Sequence, residues 1–334
     1  MRAGHAAAGG IETLVIAEGL ALPLDEGGTI STVKMIESLP APVMLLNRTN
    51  GTTPPTSATL RQFAAGQSRI GRILRYLRFV AATLWTVVQR RPGHVYYVPL
   101  RDPPIALQLH AAALALLARD FTEVLFQVGQ PTRLFAAVSR FRIQVISQVD
   151  QQRLAAAGIR AVYAPPHFKR PAARAYDKAA LRRHYGVPRD AFVVSHIGHP
   201  NPFRGLDTLA TIAKRDPGIT FVLLLSSRLP PGEFVFPENV IVISRQIEDV
   251  HEIYAMSDVY FFPLRSHSGA ISTPLSLLEA SEAGLAILCS DLPTLRAALK
   301  GYDKAEFVDI GGPDPAAAFA ERLANLKGAI GAES

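Results

Sequence analysis

The sequence has a single cysteine and no long uncharged apolar segment. Cys289 lies in the apolar run Ala286–Cys289, so the sequence offers neither an intrachain disulfide nor a cysteine-based zinc cluster. No apolar stretch reaches the roughly 18 residues of a membrane span, and the N-terminus lacks the apolar core of a signal peptide. We therefore expect a cytoplasmic protein that is neither exported nor inserted in a membrane.

Several catalytic and cofactor motifs are also missing. The nine histidines show no metal-ligand spacing, so we expect no metal site. No G-x-G-x-x-G follows a strand, and no P-loop or G-x-S-x-G motif is present. These absences argue against a nicotinamide dehydrogenase, a P-loop nucleotidase and a serine hydrolase of the nucleophile-elbow type.

Composition and charge indicate two domains and an anionic partner. At 334 residues, with 49% apolar and 19% charged residues, the chain can bury two cores, which excludes a disordered scaffold. Residues 1–170 hold 19 Lys and Arg against 9 Asp and Glu, whereas residues 171–334 hold 16 against 19. The basic first half suits a membrane surface or a nucleic acid, but no nucleic-acid recognition motif accompanies the charge, so we expect no nucleic acid.

Short apolar runs alternate with helical patterns in both halves, which predicts an α/β protein of two Rossmann-like, doubly wound domains. Two runs of the second half, Val240–Ile243 and Val259–Phe262, have the continuous apolar character of strands covered on both faces. The turn-forming segment Ala164–Pro171 marks the linker. We therefore assign residues 1–165 to the first domain, 166–312 to the second, and 313–334 to a C-terminal helix that is a candidate to pack on the first domain.

Two segments of the second half have the pattern of a phosphate site. Gly198–Gly205 is a Gly/Pro-rich turn containing Arg204 between a strand and a helix, and such a turn can hold a phosphate by backbone N–H groups and a guanidinium. A solvated arginine in an ordinary loop is the plain alternative. In the second segment, Thr273 and Pro274 predict a helix start, which places Glu279 among leucines, where a carboxylate needs a partner. That partner is either a ribose diol or an arginine of the protein.

The first half offers two further candidates. Gly27 and Gly28 follow the first strand and precede a short helix, so they allow either a close backbone approach to a ligand or a plain tight turn. Residues 69–88 form an amphipathic helix whose apolar face, from Ile70 to Val88, we expect to pack on the domain. Its basic face is either solvated or attracted to anionic lipid, and carries Arg69, Arg72, Arg75 and Arg78.

In order along the chain, Gly198–Gly205, Ile241–Val250, Tyr254–Pro263 and Pro274–Ala280 resemble the motifs of GT-B fold glycosyltransferases, specifically the retaining, nucleotide-sugar-dependent enzymes of family 4. The resemblance implies two domains facing a cleft and transfer of a sugar without a metal or a further cofactor. The donor would be a nucleotide sugar, UDP- or GDP-linked, and the acceptor a glycan or a lipid-linked molecule. The protein would then be cytoplasmic, in polysaccharide biosynthesis, and peripheral on the inner face of the membrane through the four arginines.

The resemblance also implies roles for individual residues. Arg204 would hold the donor diphosphate and Glu279 would bind the ribose hydroxyls, and these two are the catalytic candidates; Gly198, at the start of the same turn, would also belong to the donor site. The remaining donor contacts would come from the backbone of Gln246 and Ile247 at the base, the N–H groups of Ser272 and Thr273 at the phosphate, and Gly27 and Gly28 from the opposite domain.

Three departures from the family pattern leave a second interpretation open. Ile271 stands where the first carboxylate of an E-x7-E pair is expected, His199 replaces an arginine, and Phe126–Gly129 contains no cleft histidine. Arg265, His267 or Arg228 are candidates to compensate. The alternative is therefore a catalytically inactive GT-B subunit that binds a nucleotide sugar or a partner enzyme. An epimerase of the same fold would need cleft carboxylates, of which the sequence offers few.

Overall fold

The computed structural model describes residues 12–22, 27–99, 105–168, 175–226, 229, 234–244 and 247–333. The chain divides into two compact units, one built mainly from Gly28–His167 and the other from Phe168–Ser334. Both are built from strands that alternate with helices. The predicted α/β class, with two parallel sheets, is confirmed.

The first unit contains, in chain order, β1 (Thr13–Glu18), α1 (Gly27–Ser38), β2 (Val43–Arg48), β3 (Thr59–Phe63), α2 (Arg69–Arg90), β4 (His94–Val98), α3 (Ile105–Leu117), β5 (Phe121–Leu125), α4 (Arg133–Val138), β6 (Arg142–Val145), α5 (Gln148–Ala156) and β7 (Ala161–Tyr163). In the described residues its strands form one seven-stranded sheet in the order β3-β2-β1-β4-β5-β6-β7. Every residue of β1 is buried, as expected for a central strand covered on both faces.

The second unit contains α6 (Lys178–His184), β8 (Phe192–Gly198), α7 (Leu206–Arg215), β9 (Ile219–Leu225), β10 (Val240–Ile243), α8 (His251–Met256), β11 (Val259–Phe262), α9 (Leu275–Glu282), β12 (Ala286–Ser290), α10 (Pro293–Ala298), β13 (Ala305–Val308) and α11 (Pro315–Glu333). Across the described part, the sheet order is β10-β9-β8-β11-β12-β13. The order reverses between β8 and β11, and ligands of such sheets bind outside the carboxyl ends of the strands at this point.

The sequence missed three strands, and each one is an edge strand. β3, β7 and β13 stand at the ends of their sheets. Four of the five β3 residues are exposed, and two of the three β7 residues are exposed. An edge strand of this kind has no continuous apolar run, so the pattern that reveals the central strands is absent from it.

The C-terminal helix, which the sequence made a candidate to pack on the first domain, contributes to the core of the second unit. Phe319 and Leu323 of α11 are buried in the cluster that contains Leu209 of α7 and Phe261 of β11. The rings of Phe261 and Phe319 meet edge to face, with centroids 5.1 Å apart. The helix therefore covers one face of the second sheet together with α7.

The orientation expected for α2 was wrong. Phe79, Thr83 and Val87, which recur at every fourth position, are buried against the first sheet. The apolar stripe from Ile70 to Val88 lies mainly on the opposite side, where Ile70 is 73% exposed and Trp85 is 64% exposed. Periodicity reveals an amphipathic helix but does not say which face meets the sheet. Among the described residues, no helix is long and apolar enough to cross a bilayer.

A carboxylate is buried inside the first sheet. Glu123 of β5 is fully buried, pairs in register with Tyr97 of β4, and has no hydrogen-bond partner for either carboxylate oxygen among the described residues. Burial raises the pKa of Glu123 to about 8, from an ordinary value of 4.5. The folded chain therefore holds a proton at neutral pH that the unfolded chain releases.

This burial predicts a pH dependence of stability. Because the folded state binds one more proton than the unfolded state between the two pKa values, the free energy of unfolding should fall as the pH rises from about 5 to about 8. Glu123→Gln is neutral at every pH and should remove this part of the slope. Urea denaturation of both proteins at the two pH values measures it. The exposed Glu37→Gln should keep the wild-type slope, and an unchanged slope in Glu123→Gln would contradict the prediction.

Candidate functional site

The candidate site lies at the carboxyl ends of β8 and β11, where the order of the second sheet reverses. Two loops leave this edge. One runs from Gly198 to Gly205 and includes a single 3-10 turn, Pro202–Arg204, and the other runs from Pro263 to Pro274 and ends at α9. Both loops contain residues that the sequence assigns to phosphate binding.

The arginine of the first loop folds back over the end of β8. A Cβ atom at Gly198 would lie 2.7 Å from Nη1 of Arg204, so the guanidinium occupies the space that any side chain at position 198 would fill. The same guanidinium lies over the ring of Phe262, with 5.2 Å between its Cζ atom and the ring centroid. The structure therefore brings Gly198 and Arg204, which the sequence assigned to one turn, into contact at this edge of the sheet.

The two loops are joined by close backbone contacts. Gly205 has a φ of +70°, and a Cβ atom there would lie 1.9 Å from the carbonyl oxygen of Pro263. A Cβ atom at Gly269 would lie 2.7 Å from the carbonyl oxygen of Phe203, and the backbone N–H of Arg265 donates to that same oxygen at 2.8 Å. Only glycine permits these approaches. The position of Arg204 is thus fixed by the second loop.

Glu279 is buried on α9 and is held by a tyrosine. The Tyr254 hydroxyl donates to Oε2 of Glu279 at 3.0 Å and also lies 3.2 Å from the Ser276 carbonyl oxygen. Burial raises the pKa of Tyr254 well above its usual value, and the neighbouring carboxylate raises it further. Tyr254 therefore remains a hydrogen-bond donor, and it is a partner for Glu279 that the sequence analysis did not foresee.

Aromatic side chains connect Glu279 to Arg204 beneath the loops. Tyr254, Tyr260, Phe262 and His196 follow one another with ring centroids 5.6, 6.0 and 5.9 Å apart. Burial is the main cause of the raised pKa of Tyr260. The charge of Glu279 raises this pKa further, and the charge of Arg204 lowers it. We call these four residues the aromatic floor. Tyr260 and Phe262 alternate along β11, His196 lies on β8 and Tyr254 lies on α8, so their link to both charged residues required the structure.

His196 of the aromatic floor is neutral. Burial lowers its pKa to about 4, and the positive charge of Arg204 acts in the same direction. Its Nδ1 atom lies 2.9 Å from the Phe261 carbonyl oxygen, and because a carbonyl only accepts, Nδ1 carries the proton. The site therefore has the charge of Arg204 without a second cation below it.

The start of α9 differs from the sequence prediction. Thr273 was predicted as the N-cap and Pro274 as the first helical residue, but Pro274 is the cap position and the helix begins at Leu275. Pro274 has extended backbone angles and no side chain that can cap. Ser272 and Thr273 are buried immediately before this start, so their backbone belongs to the loop that leads into α9. Gly284, with a φ of +76°, follows the end of the helix.

The remaining candidate residues lie in three other segments of the chain. Ile247 is half-buried against a cluster containing Ile243 and Ile253, which makes its side chain structural. Gln246 and Arg228 lie outside the described residues. Gly27 and Gly28 lie in the first turn of α1. The sequence predicted that this helix begins at Ser31, but it begins at Gly27, so the two glycines do not form a turn before it. The Thr32 hydroxyl donates to the Gly28 carbonyl at 2.7 Å.

The residues considered as replacements for the missing charges already have partners. Arg265 forms an ion pair with Asp207. The Nδ1 atom of His267 lies 3.2 Å from the Thr294 hydroxyl, and that of His199 lies 3.3 Å from the Ser226 hydroxyl. Within the described residues, no group of three or more His, Cys, Asp and Glu side chains is arranged to hold a metal.

With this geometry established, comparison with known proteins is informative. A family model described as glycosyl transferases group 1 matches residues 206–327, less than half of the chain. Among curated proteins no sequence matches.

Solved structures match nearly the whole chain. Alr3699/HepE from Anabaena, in complex with UDP-glucose, is 14% identical with a TM-score of 0.69, and the match covers 93% of this chain and 89% of that one. A glycosyltransferase from Rickettsia africae is 12% identical with a TM-score of 0.70, covering 96% and 89%. WaaG, a glycosyltransferase involved in lipopolysaccharide biosynthesis, is 14% identical with a TM-score of 0.68, covering 94% and 90%. The chain has the GT-B fold.

The junction of the two loops predicts a large difference between two glycine substitutions. Gly284→Ala should cost about 1–2 kcal/mol of unfolding free energy, because its methyl group meets open space and only the positive φ is strained. Gly205→Ala should cost clearly more, because its methyl group must also displace the Pro263 carbonyl. Urea denaturation of the two variants measures this difference, and equal costs would show that the loops are not locked together.

Proposed function

We propose that the protein is a glycosyltransferase that transfers a sugar, with retention of configuration, from a nucleotide-sugar donor to an acceptor hydroxyl. The observation that carries the proposal is the guanidinium of Arg204, which lies over Gly198 at the edge of the second sheet. The buried carboxylate of Glu279 is linked to it through the aromatic floor. The GT-B fold supports the same conclusion.

Arg204 suits a diphosphate for electrostatic reasons. Its planar guanidinium can donate two parallel hydrogen bonds to phosphate oxygens, and its charge favours the negative leaving group as it forms. The loop that ends at α9 adds the backbone N–H groups of Ser272 and Thr273 near a helix start, where anions bind favourably. These residues are the diphosphate site of the proposal.

Glu279 suits the ribose of the nucleotide. Its Oε2 atom is held by the Tyr254 hydroxyl, which fixes the orientation of the carboxylate. A carboxylate accepts strong hydrogen bonds, and vicinal hydroxyls offer two donors in a matching arrangement. We assign the base to the backbone near Gln246 and Ile247. UDP is the favoured nucleotide, because Alr3699/HepE was solved with UDP and with UDP-glucose.

The proposed reaction needs positive charge more than a strong base. The bond between the sugar C1 atom and the phosphate oxygen breaks, and its electron pair goes to the leaving diphosphate. The acceptor oxygen forms a bond to C1 on the same face, and its proton goes to that diphosphate. Arg204 stabilises the departing charge, and no metal is assigned a role.

We assign the acceptor, a glycan or a lipid-linked molecule, to the first unit, at the cytoplasmic face of a membrane. Gly27 and Gly28, whose backbone N–H groups lie at the first turn of a twelve-residue helix, are assigned to the donor and not to the acceptor. The relation of WaaG to lipopolysaccharide biosynthesis supports a polysaccharide pathway. Membership of family 4 is part of the same proposal.

A second function, that of an inactive subunit that binds a nucleotide sugar or a partner enzyme, is favoured by one observation. Ile271 provides an aliphatic side chain where the related pattern has a carboxylate, and Arg265, one candidate to supply a further charge, is paired with Asp207. Such a subunit has no transfer activity, whether it binds a nucleotide sugar or a partner enzyme.

Nucleotide binding is tested by thermal unfolding with UDP, GDP, ADP and dTDP. A nucleotide at about 100 times its dissociation constant should stabilise the wild-type protein by roughly 2.7 kcal/mol. Glu279→Gln should weaken binding by about tenfold or more, since hydrogen bonds to a charged group are lost. Glu282→Gln, at an exposed position on the same helix, is the matched control and should bind normally. No shift with any nucleotide would contradict the glycosyltransferase and would favour an inactive subunit that binds a partner enzyme.

Transfer activity separates the two functions. Hydrolysis of the donor or transfer to a simple acceptor, followed by nuclear magnetic resonance of the product anomer, should show retention and should persist in the presence of a chelator. Arg204→Lys should reduce kcat by about a hundredfold or more, because lysine keeps the charge but loses the paired hydrogen bonds. Arg189→Lys, an exposed control, should be unaffected. Nucleotide binding without transfer would favour the inactive subunit.

A further inference from the structure

The first unit exposes a large apolar surface on two neighbouring helices. On α2 and α3 the large apolar side chains that face solvent are Ile70, Ile73, Leu74, Leu77, Trp85, Val88, Ile105, Leu109, Leu116 and Leu117. Leu116 is 87% exposed. We call these ten residues the α2–α3 surface. Contiguous apolar surface of this extent is unusual on a soluble monomer and marks an interaction site.

We infer that the α2–α3 surface docks on an anionic lipid bilayer, with α2 lying in the plane of the membrane interface. The inference concerns a surface of the first unit and does not depend on the donor site proposed above. The orientation of α2, its charge and the position of its tryptophan support this docking.

The orientation of α2 follows from its packing. Phe79, Thr83 and Val87 attach the helix to the first sheet, while the stripe on the other side faces outward. The helix has 22 residues and is therefore about 33 Å long. An anchored helix with an outward apolar stripe can contact a membrane only side on, which is the geometry of interfacial helices.

The charge on the two helices favours an anionic surface. α2 carries five arginines and no acidic residue, and α3 carries no charged residue. Arg69, Arg72, Arg75 and Arg78 are all exposed in the half of α2 that also carries Ile70, Ile73, Leu74 and Leu77. At about 100° per residue, Arg69 and Arg78 lie at the two borders of the stripe, where they can reach lipid phosphates while their aliphatic stems remain with the apolar residues. Arg72 and Arg75 lie on the side away from the stripe and add to the attraction of an anionic surface at longer range.

The far end of the surface has the same combination of chemistry. A groove between the C-terminal ends of α2 and α3 is lined by Val87, Val88, Arg91, Pro92, Leu117, Ala118 and Arg119. Apolar walls beside two arginines suit the boundary between acyl chains and phosphates. The basic and apolar character therefore continues along the whole length of α2.

A second copy of this chain fits the surface less well. A two-fold contact through α2 would place the arginines of one copy beside those of the other, with no carboxylate on either helix to neutralise them. Trp85, exposed on the stripe, is instead typical of helices at a membrane interface, where the indole ring has an apolar and a wet side.

Trp85 also provides the test, because it is the only tryptophan of the chain. Full-length protein is mixed with vesicles of equal parts phosphatidylcholine and phosphatidylglycerol, or of phosphatidylcholine alone. With the anionic vesicles, the emission of Trp85 should shift to shorter wavelength and should be quenched by lipids brominated on their acyl chains. Flotation of the vesicles should carry the protein with them.

Two sets of variants separate the apolar and the ionic contributions. Ile73→Gln, Leu74→Gln and Leu77→Gln combined should lower the partition constant by about tenfold or more on anionic vesicles. Replacing Arg69, Arg72, Arg75 and Arg78 by glutamine should lower it by about a hundredfold at low salt. The matched controls alter exposed residues elsewhere and should bind as the wild type: Leu60→Gln with Val162→Gln, and glutamine at Arg133, Arg140, Arg160 and Arg189.

Two results would overturn the inference. One is unchanged Trp85 emission and no flotation with anionic vesicles. The other is a shift of emission that depends on protein concentration in the absence of lipid, together with a dimer in analytical ultracentrifugation, which would assign the surface to a second copy. Nucleotide-dependent thermal stabilisation, measured on the same samples, reports separately on the proposed donor site.

Discussion

The candidate site depends on the contact between the backbone of Gly205 and the carbonyl of Pro263. With no side chain at position 205, the loop after β8 lies directly against the loop after β11, and Arg204, the preceding residue, is turned back over Gly198. A flexible arginine elsewhere would lose side-chain entropy of about 2 kcal/mol on binding a phosphate. Here Phe262 and the end of β8 already restrict the guanidinium, so much of that loss has occurred on folding.

The aromatic floor gives the two charged residues a common support of low polarity. Electrostatic interactions strengthen where water is excluded, so a phosphate beside Arg204 would be bound more strongly here than at an exposed arginine. The neutrality of His196 matters in the same way, because a pKa of about 4 means that it adds no positive charge beside Arg204 at physiological pH. The Tyr254 hydroxyl donates a hydrogen bond to the buried Glu279, so this carboxyl group has a partner within the fold.

The sequence predicted the central strands and the site loops because their signals are local. Val259–Phe262, a fully buried central strand, has the predicted bounds, since such strands are continuous apolar runs. Val240–Ile243 also has them, because this edge strand, although only partly buried, contains the same kind of run. The strand, turn and helix pattern placed Gly198 and Arg204 in one turn, but the contact between them required the structure. Edge strands such as β3, the packing of Phe319 and the pairing of Tyr254 with Glu279 depend on residues distant in sequence, so no local pattern indicates them. The predicted orientation of α2 was wrong for the same reason. Its apolar stripe is visible in the sequence, but contacts with distant strands of the first sheet determine that the face containing Phe79 is buried.

The exposed stripe of α2 is consistent with the uneven distribution of charge along the chain. Residues 1–170 hold an excess of ten positive charges and residues 171–334 an excess of three negative ones. Exposed apolar residues favour self-association, and the excess positive charge opposes it by repulsion between molecules. An anionic bilayer would bury the apolar residues and neutralise the arginines, so it would remove both the tendency to self-associate and the repulsion between molecules. Burial of the apolar stripe and charge attraction by the arginines then act through one helix and one surface, so loss of either should weaken the other's contribution, and the two should not act as independent sites.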